Sequence, residues 1–284
     1  MRILRRSIGW ILRGTAIGLF LLVTLVLYVF GVGKSIPYTK SRMKPRLVWA
    51  CAPIINIKYA SEAMRQAGYL SRTVVYTPST ISDKRDFDLY RFELLSLYQW
   101  LPDALSRLIE PYITFIYLLL RFDIFHFFYD GGVLSRTPLR FLELQLLHLF
   151  HKKVVVMPYG GDVHVLSKMR NLVFKFGQLY HYGEYAVPDM DRRNRWIDHF
   201  SRHADCCVGS LAFDSLYRWD ILPVSYLAID TEVFRAPADY EYRNDGKNGP
   251  VVVVHSPNHR VIKGTEYIIA AVEKLKSEGF HIDF

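Results

Sequence analysis

The stretch Arg46–Tyr76, RLVWACAPIINIKYASEAMRQAGYLSRTVVY, decides the fold class. Its first seven residues, RLVWACA, are almost continuously apolar and read as a strand buried on both faces. YASEAMRQAGY (Tyr59–Tyr69) then carries apolar residues at helical spacing, and Gly68 supplies the stop. RTVVY (Arg72–Tyr76) is β-branched and reads as a second strand. A strand, a helix and a strand joined by short loops predict a parallel pair with a helical crossover.

The same alternation extends in both directions from this unit. Pro78–Asp88 is polar and reads as a loop. Leu89–Leu120 is rich in Leu, Tyr and Phe, and Pro102 and Pro111 divide it into helices. FDIFHFF (Phe122–Phe128) is strand-like and ends at YDGG. PLRFLELQLLHLF (Pro138–Phe150) has helical spacing, with Pro138 suited to a first turn. KKVVVMPYGGDVH (Lys152–His164) is a strand followed by a glycine turn. DRRNRWIDHFSRH (Asp191–His203) is a helix with a charged face. ADCCVGS (Ala204–Ser210) is a strand, followed by a short helix in LAFDSLYRW and a strand region in LPVSYLAID. The expected architecture is α/β, with a mostly parallel, Rossmann-like sheet over residues 46–235. The polar stretch 236–249 serves as a linker, and residues 250–284 open a second Rossmann-like domain that they do not complete.

The chain has 284 residues, 51% of them hydrophobic, which suffices for a sizeable core. Its net charge is +9. Nine of the 36 basic residues lie in Met1–Arg46, where no Asp or Glu occurs, so the remaining basic residues only balance the 27 acidic ones. The basic excess thus belongs to the N-terminus. A nucleic-acid-binding protein carries it on the folded body, so no nucleic-acid partner is expected. Residues 1–14 form a basic segment and 33–45 a basic linker. Between them, TAIGLFLLVTLVLYVFGV (Thr15–Val32) has 18 residues without a charge, within the length that crosses a bilayer. The run exceeds the apolar region of a cleaved signal peptide, so an uncleaved transmembrane anchor is expected. Basic residues on both sides leave its orientation open. Cys51, Cys206 and Cys207 show neither disulfide nor zinc spacing. They read as buried thiols of a reducing compartment, which puts the folded part on the cytoplasmic side.

Near the C-terminus, VVVVHSPNHRVIKGTEYIIAAVEKL (Val251–Leu275) places a polar, basic loop between a strand and a helix. Ligands of open α/β sheets bind beyond the carboxyl ends of the strands, and helix N-termini attract phosphate. Lys263 and Arg260 would add charge there, and Gly264 would permit close backbone approach. The stretch matches neither the Walker loop nor the G-x-G-x-x-G fingerprint. The solvated basic turn is the plainer alternative.

The stretch resembles the start of the nucleotide-sugar domain of GT-B glycosyltransferases, specifically the large retaining group called family four. FDIFHFF, VVVMPYGGDVH, ADCCVGS and ILPVSYLAIDTEVF resemble that family's N-terminal domain in the same order, so the resemblance covers Arg46–Phe284. It implies the GT-B fold, with a nucleoside diphosphate sugar as co-substrate and neither metal nor resident cofactor. Lys263 would bind the donor diphosphate, with Arg260 and Gly264 beside it. His126 would lie in the cleft, and Gly160, Gly161 and Asp162 would line the acceptor side. Simpler roles stand beside these: a satisfied core position for His126 and a helix cap for Asp162.

The family's basic residue directly after the strand is replaced here by His255-Ser256-Pro257. Its two glutamates with seven residues between them are also missing, since no two glutamates of the chain are eight positions apart. The expectation is therefore a membrane-anchored glycosyltransferase, represented here by a fragment, that glycosylates a lipid-linked or cell-envelope acceptor. The alternatives are a noncatalytic membrane-tethered module that binds a glycan or partner, and a sugar-nucleotide epimerase.

Overall fold

The computed structural model describes residues 2–36, 43–76, 83–91, 93, 102–182, 190–209, 218, 220–222, 230–232, 235, 244, 246–247, 249–257, 260–261 and 263–284. The chain divides into two compact units. Unit 1 comprises Met1–Lys168 and Asp191–Ile229, and unit 2 comprises Met169–Met190 and Asp230–Phe284.

Unit 1 opens with α1 (Arg2–Val29) and is built on six strands: β1 (Leu47–Cys51), β2 (Ser71–Val75), β3 (Leu89–Tyr90), β4 (Ile124–Phe128), β5 (Lys153–Met157) and β6 (Cys206–Cys207). All pair in parallel, in the order β3-β2-β1-β4-β5-β6. The chain moves outward from β1 in one direction and from β4 in the other. Right-handed crossovers then place helices on both faces, and the reversal falls between β1 and β4. The connecting helices are α2 (Ile55–Gln66), α3 (Asp103–Arg121), α4 (Glu143–Leu149) and α6 (Met190–His203).

The two faces have distinct cores. On one, Trp49, Val75 and Phe128 meet Ile57 of α2, and the Trp49 indole donates to Ser71 Oγ at 2.9 Å. On the other, Phe127 and Tyr129 meet Phe200 of α6, with ring centroids at 6.3 and 6.1 Å. Each strand therefore needs apolar residues at successive positions, which explains VVVM and FHFF.

Three local expectations are corrected. Leu89–Tyr90 is an edge strand rather than the start of a helix. Pro111 does not end a helix, because α3 runs through it from Asp103 to Arg121. The apolar face that contains Tyr112, Phe115, Leu118 and Leu119 is buried, and that burial outweighs the lost backbone bond. The helix expected from Pro138 begins only at Glu143. The segments LAFDSLYRW and LPVSYLAID lie almost entirely outside the described residues, although Leu222 forms a parallel bridge with Val208 beyond β6.

Within α1, Gly9–Val29 is a 21-residue span of mean hydropathy 2.1, long and apolar enough to cross a membrane. A signal sequence would satisfy the same description. One stripe of α1 meets the body of unit 1. Phe20 is buried, 4.9 Å from the Tyr112 ring and 5.6 Å from Phe115, while Tyr28 lies 6.0 Å from Phe150. The opposite stripe, including Leu19, Leu22, Val26 and Val29, is exposed.

At the amino edge of the sheet, Asp123 holds the chain that follows α1. It accepts from the Arg46 backbone and Nε, both at 2.9 Å, and from Ser35 Oγ at 2.6 Å. Lys152 is fully buried and donates to Ser35 Oγ at 3.0 Å and to the Phe122 carbonyl at 2.7 Å.

Unit 2 contains α5 (Leu172–Tyr182), β7 (Val251–Val252), α7 (Thr265–Ser277) and β8 (Ile282–Asp283). Strands β7 and β8 pair in parallel, pairing Val251 with Ile282, and α7 is their crossover. The expected linker at 236–249 lies largely outside the described residues.

Candidate functional site

The carboxyl edge of the unit 1 sheet gathers the ends of all its strands. Tyr76 follows β2, Arg91 follows β3, Tyr129-Asp130-Gly131-Gly132 follows β4, and Tyr159-Gly160-Gly161-Asp162 comes two residues after β5. Such an edge, at the reversal of strand order, is where doubly wound sheets bind ligands.

The two glycine turns are shaped by carboxylates. Gly131 has φ +119, and a Cβ there would approach Ser135 Cβ to 2.6 Å. A Cβ on Gly132 would fall 2.5 Å from the Glu143 carboxylate. Glu143 is completely buried and accepts from the backbone N–H groups of Val133 at 2.7 Å and Leu134 at 3.0 Å. Burial pushes its pKa up to about 7, against the pull of those two donors. After β5, Asp162 accepts from the backbone of Tyr159 at 3.0 Å, Gly160 at 2.9 Å and Tyr129 at 3.4 Å. It therefore ties the β4 and β5 turns together. Burial first, and the neighbouring Asp130 second, raise its pKa to about 7.

Asp130 accepts from the Tyr159 hydroxyl at 3.3 Å. The surrounding protein raises its pKa to about 6, although Arg192 and Arg136 pull it down. Tyr76 supports the β4 turn from the side. Its hydroxyl bonds to the Gly132 carbonyl and lies 2.5 Å from Ser135 Oγ. The Arg91 guanidinium sits 4.4 Å from the centre of the Tyr76 ring and that of Arg136 sits 5.0 Å from it. Arg91 is 3% exposed and pairs with Glu110 at 2.5 Å, yet among the described residues its Nη1 has no hydrogen-bond partner.

The β4 turn borders an open cavity of about 410 Å³ within unit 1. The β4 turn contributes Asp130, Ser135, Arg136 and Arg140, and α6 contributes Arg192 and Arg195. Tyr76, Phe141 and Trp196 form its aromatic walls.

The expected site residues are distributed unevenly. Gly160, Gly161 and Asp162 do lie at the carboxyl edge, with Asp162 acting as the clasp of two turns. His126 does not reach that edge. It sits inside β4, stacked on Trp49 at 3.7 Å, with Nδ1 3.2 Å from the Val48 carbonyl. Burial lowers its pKa to about 4, so it is neutral at physiological pH. The expectation of a cleft histidine is replaced by the core position.

In unit 2, Gly264 adopts a left-handed conformation (φ 70°) and begins α7, whose first turn has no side-chain cap. His255 Nε2 lies 2.9 Å from Thr265 Oγ1 across that turn. Lys263 is exposed. The Arg260 guanidinium donates to Glu266 at 2.8 Å, so its charge is directed at α7. Glu266 and Arg260 are both well exposed, and such a pair is easily exchanged for another anion.

The sequence reading passed over Arg136, Arg140, Arg192, Arg195 and Asp130. Their only local signal was spacing: Arg136 and Arg140 are four residues apart in the turn after β4, and Arg192 and Arg195 are three apart on α6. No arrangement of His, Cys, Asp and Glu among the described residues suits a metal ion. No protein-family model, curated protein or solved structure matches the chain.

Proposed function

We propose that the chain is a glycosyltransferase of GT-B type, anchored by α1 with its folded part on the cytoplasmic side. In this reading unit 1 receives the acceptor, a lipid-linked or cell-envelope glycan, and unit 2 carries the donor diphosphate site. The observation that supports it best is the β7–loop–Lys263–Gly264–α7 element. A left-handed glycine leads into an uncapped helix N-terminus, next to an exposed lysine, inside a parallel strand–helix–strand unit. The positive end of the α7 dipole and a nearby ammonium would stabilise charge on a departing diphosphate, while the Gly264 and Thr265 N–H groups themselves donate to the Val261 and Arg260 carbonyls at 3.2 and 3.0 Å. The doubly wound order of unit 1, with glycine turns at its carboxyl edge, supplies the complementary half of the reading. Sugar transfer would leave the nucleoside diphosphate as product, with retention implied by the resemblance. The protein's own contribution is positioning and charge neutralisation.

The pairing of Arg260 with Glu266 favours a second reading, a noncatalytic membrane-tethered module that binds a glycan or partner. Radiolabelled transfer from a panel of nucleotide sugars, together with equilibrium binding of the same nucleotides to the full-length gene product, separates the two. Transfer supports the enzyme. Nucleotide binding without transfer supports the module. Neither transfer nor binding would sink the glycosyltransferase reading.

A further inference from the structure

We propose that α1 does not cross the bilayer but lies in the plane of its surface, seated on unit 1 along one face and sunk into a single leaflet along the other. The proposal rests on α1 as the membrane anchor of the glycosyltransferase reading and is independent of sugar transfer. The body of unit 1 covers α1 at Ala16, Ile17, Phe20, Thr24, Leu27 and Tyr28, which share one helical face. Phe20 and Thr24 are 4% and 3% exposed. The contact runs for about 18 Å along the helix, whereas a bilayer core is about 30 Å thick. Were α1 upright, the body would fill more than half of that depth. Helix α3 runs in the same direction as α1, since Phe20 packs on Tyr112 and Phe115 while a Cβ on Gly33 would meet Leu120 at 3.1 Å. An upright α1 would therefore carry the exposed Arg107 and Asp103 of α3 farther into the hydrocarbon, at high cost.

The pattern of α1 fits the plane of the interface. Arg13 limits the charge-free part of the helix to residues 14–29, about 24 Å, short of the core. Arg13 precedes Phe20 by about two turns and so shares the face of Phe20 and Thr24; helical positions 2 and 6, in the same register, are also arginines. The opposite face holds Ile11, Leu19, Leu22, Val26 and Val29, which are 45–69% exposed. Arginines on one face and a continuous apolar stripe on the other distinguish a helix that lies in the headgroup–acyl boundary. Trp10 and Tyr28, about five turns apart, fall on the border between the faces, where amphipathic rings settle, and Lys34 lies 4.0 Å from the Tyr28 ring centre. A helix in the plane also keeps the basic residues before and after it on the same side of the membrane. Both flanks then obey the positive-inside bias, which a crossing would satisfy for only one of them.

The test places the full chain in sealed membrane vesicles, with an epitope at each end and protease outside. Both epitopes should share one fate, digested together or protected together. In a Cys206→Ser background, a fluorophore is then attached at Leu22→Cys or at Arg13→Cys, and the protein is diluted from detergent onto phosphatidylcholine–phosphatidylglycerol vesicles with brominated acyl chains. Quenching is expected at position 22 and not at position 13. Leu19→Asp/Leu22→Asp should weaken partition onto the vesicles by roughly tenfold or more. Both leucines are exposed, so the circular dichroism spectrum should not change. Epitopes on opposite sides would show a crossing helix and overturn the proposal. So would equal quenching at both positions, or no quenching at position 22, the result expected if a second copy covers the stripe. A mature chain that lacks α1 by mass spectrometry would overturn it as well. No nucleotide sugar is present, so failure of sugar transfer would leave this placement standing, and transfer by a protein with its ends on opposite sides would sink the placement alone.

Discussion

At Gly132 a methyl group would meet the Glu143 carboxylate at 2.5 Å, and that carboxylate cannot retreat, because it is buried and bonded to Val133 and Leu134. Gly132→Ala should therefore destabilise the protein by about 1–3 kcal/mol, as overpacking in a filled core does. A lower urea midpoint at unchanged slope would confirm it, and an unchanged midpoint would show that the turn yields. Glu143 itself gives a pH prediction. Its folded pKa, about 7, lies above the ordinary carboxylate value of 4.5. The folded state thus binds more protons between those values, and stability falls as pH rises through that window. The full contribution is on the order of 3 kcal/mol. Asp130 and Asp162 are raised in the same direction, so Glu143→Gln should make the decline between pH 5 and pH 8 shallower without abolishing it. Parallel profiles for parent and variant would refute this account.

Among the elements, α1 shows how one helix serves two environments. Its Phe20–Tyr28 stripe touches α3 and Phe150, while Leu19, Leu22, Val26 and Val29 on the other side have no cover in unit 1. Removing residues 1–30 would uncover Tyr112 and Phe115, which are at present 6% and 0% exposed. The truncated protein should therefore still require detergent and aggregate without it, as seen by light scattering. A monodisperse, detergent-free protein would show that the contact contributes nothing. The hydropathy of α1 was plain from sequence, but its contact with the body was not, because an apolar run does not say which stripe meets protein. The long strands were legible for a related reason: VVVM and FHFF are apolar at successive positions only because two helical layers cover them. Edge strand β3 was not, since two paired residues leave no period to detect. Pro111 misled because a local steric rule yields to the burial of a whole helix face.

For unit 1 as a whole, the sheet separates two tasks by its own length. Five-residue strands set the amino and carboxyl edges about 16 Å apart. The glycine turns that mark the carboxyl edge could be read from sequence. The arginine cavity could not, because its two halves are about 50 residues apart and meet only through the adjacency of β4, β5 and β6. The amino edge joins the segment after α1 to the starts of β1, β4 and β5 through Asp123, Ser35, Arg46 and Lys152. Hydrogen bonds from Arg46 and Ser35 hold the Asp123 carboxyl well below its usual range, in spite of partial burial. Its contribution is therefore complete above the ordinary carboxylate pKa and is lost as pH falls through the lowered value. Asp123→Ala would leave the buried Lys152 ammonium without its nearby carboxylate, and the expected loss of stability is about 3 kcal/mol near neutral pH. If the two edges act separately, that variant should unfold at lower urea, and combining it with Gly132→Ala at the carboxyl edge should give the sum of the two losses. A combined loss that departs clearly from that sum would mean that the fastening at the amino edge also sets the geometry of the glycine turn at the other end of the strands.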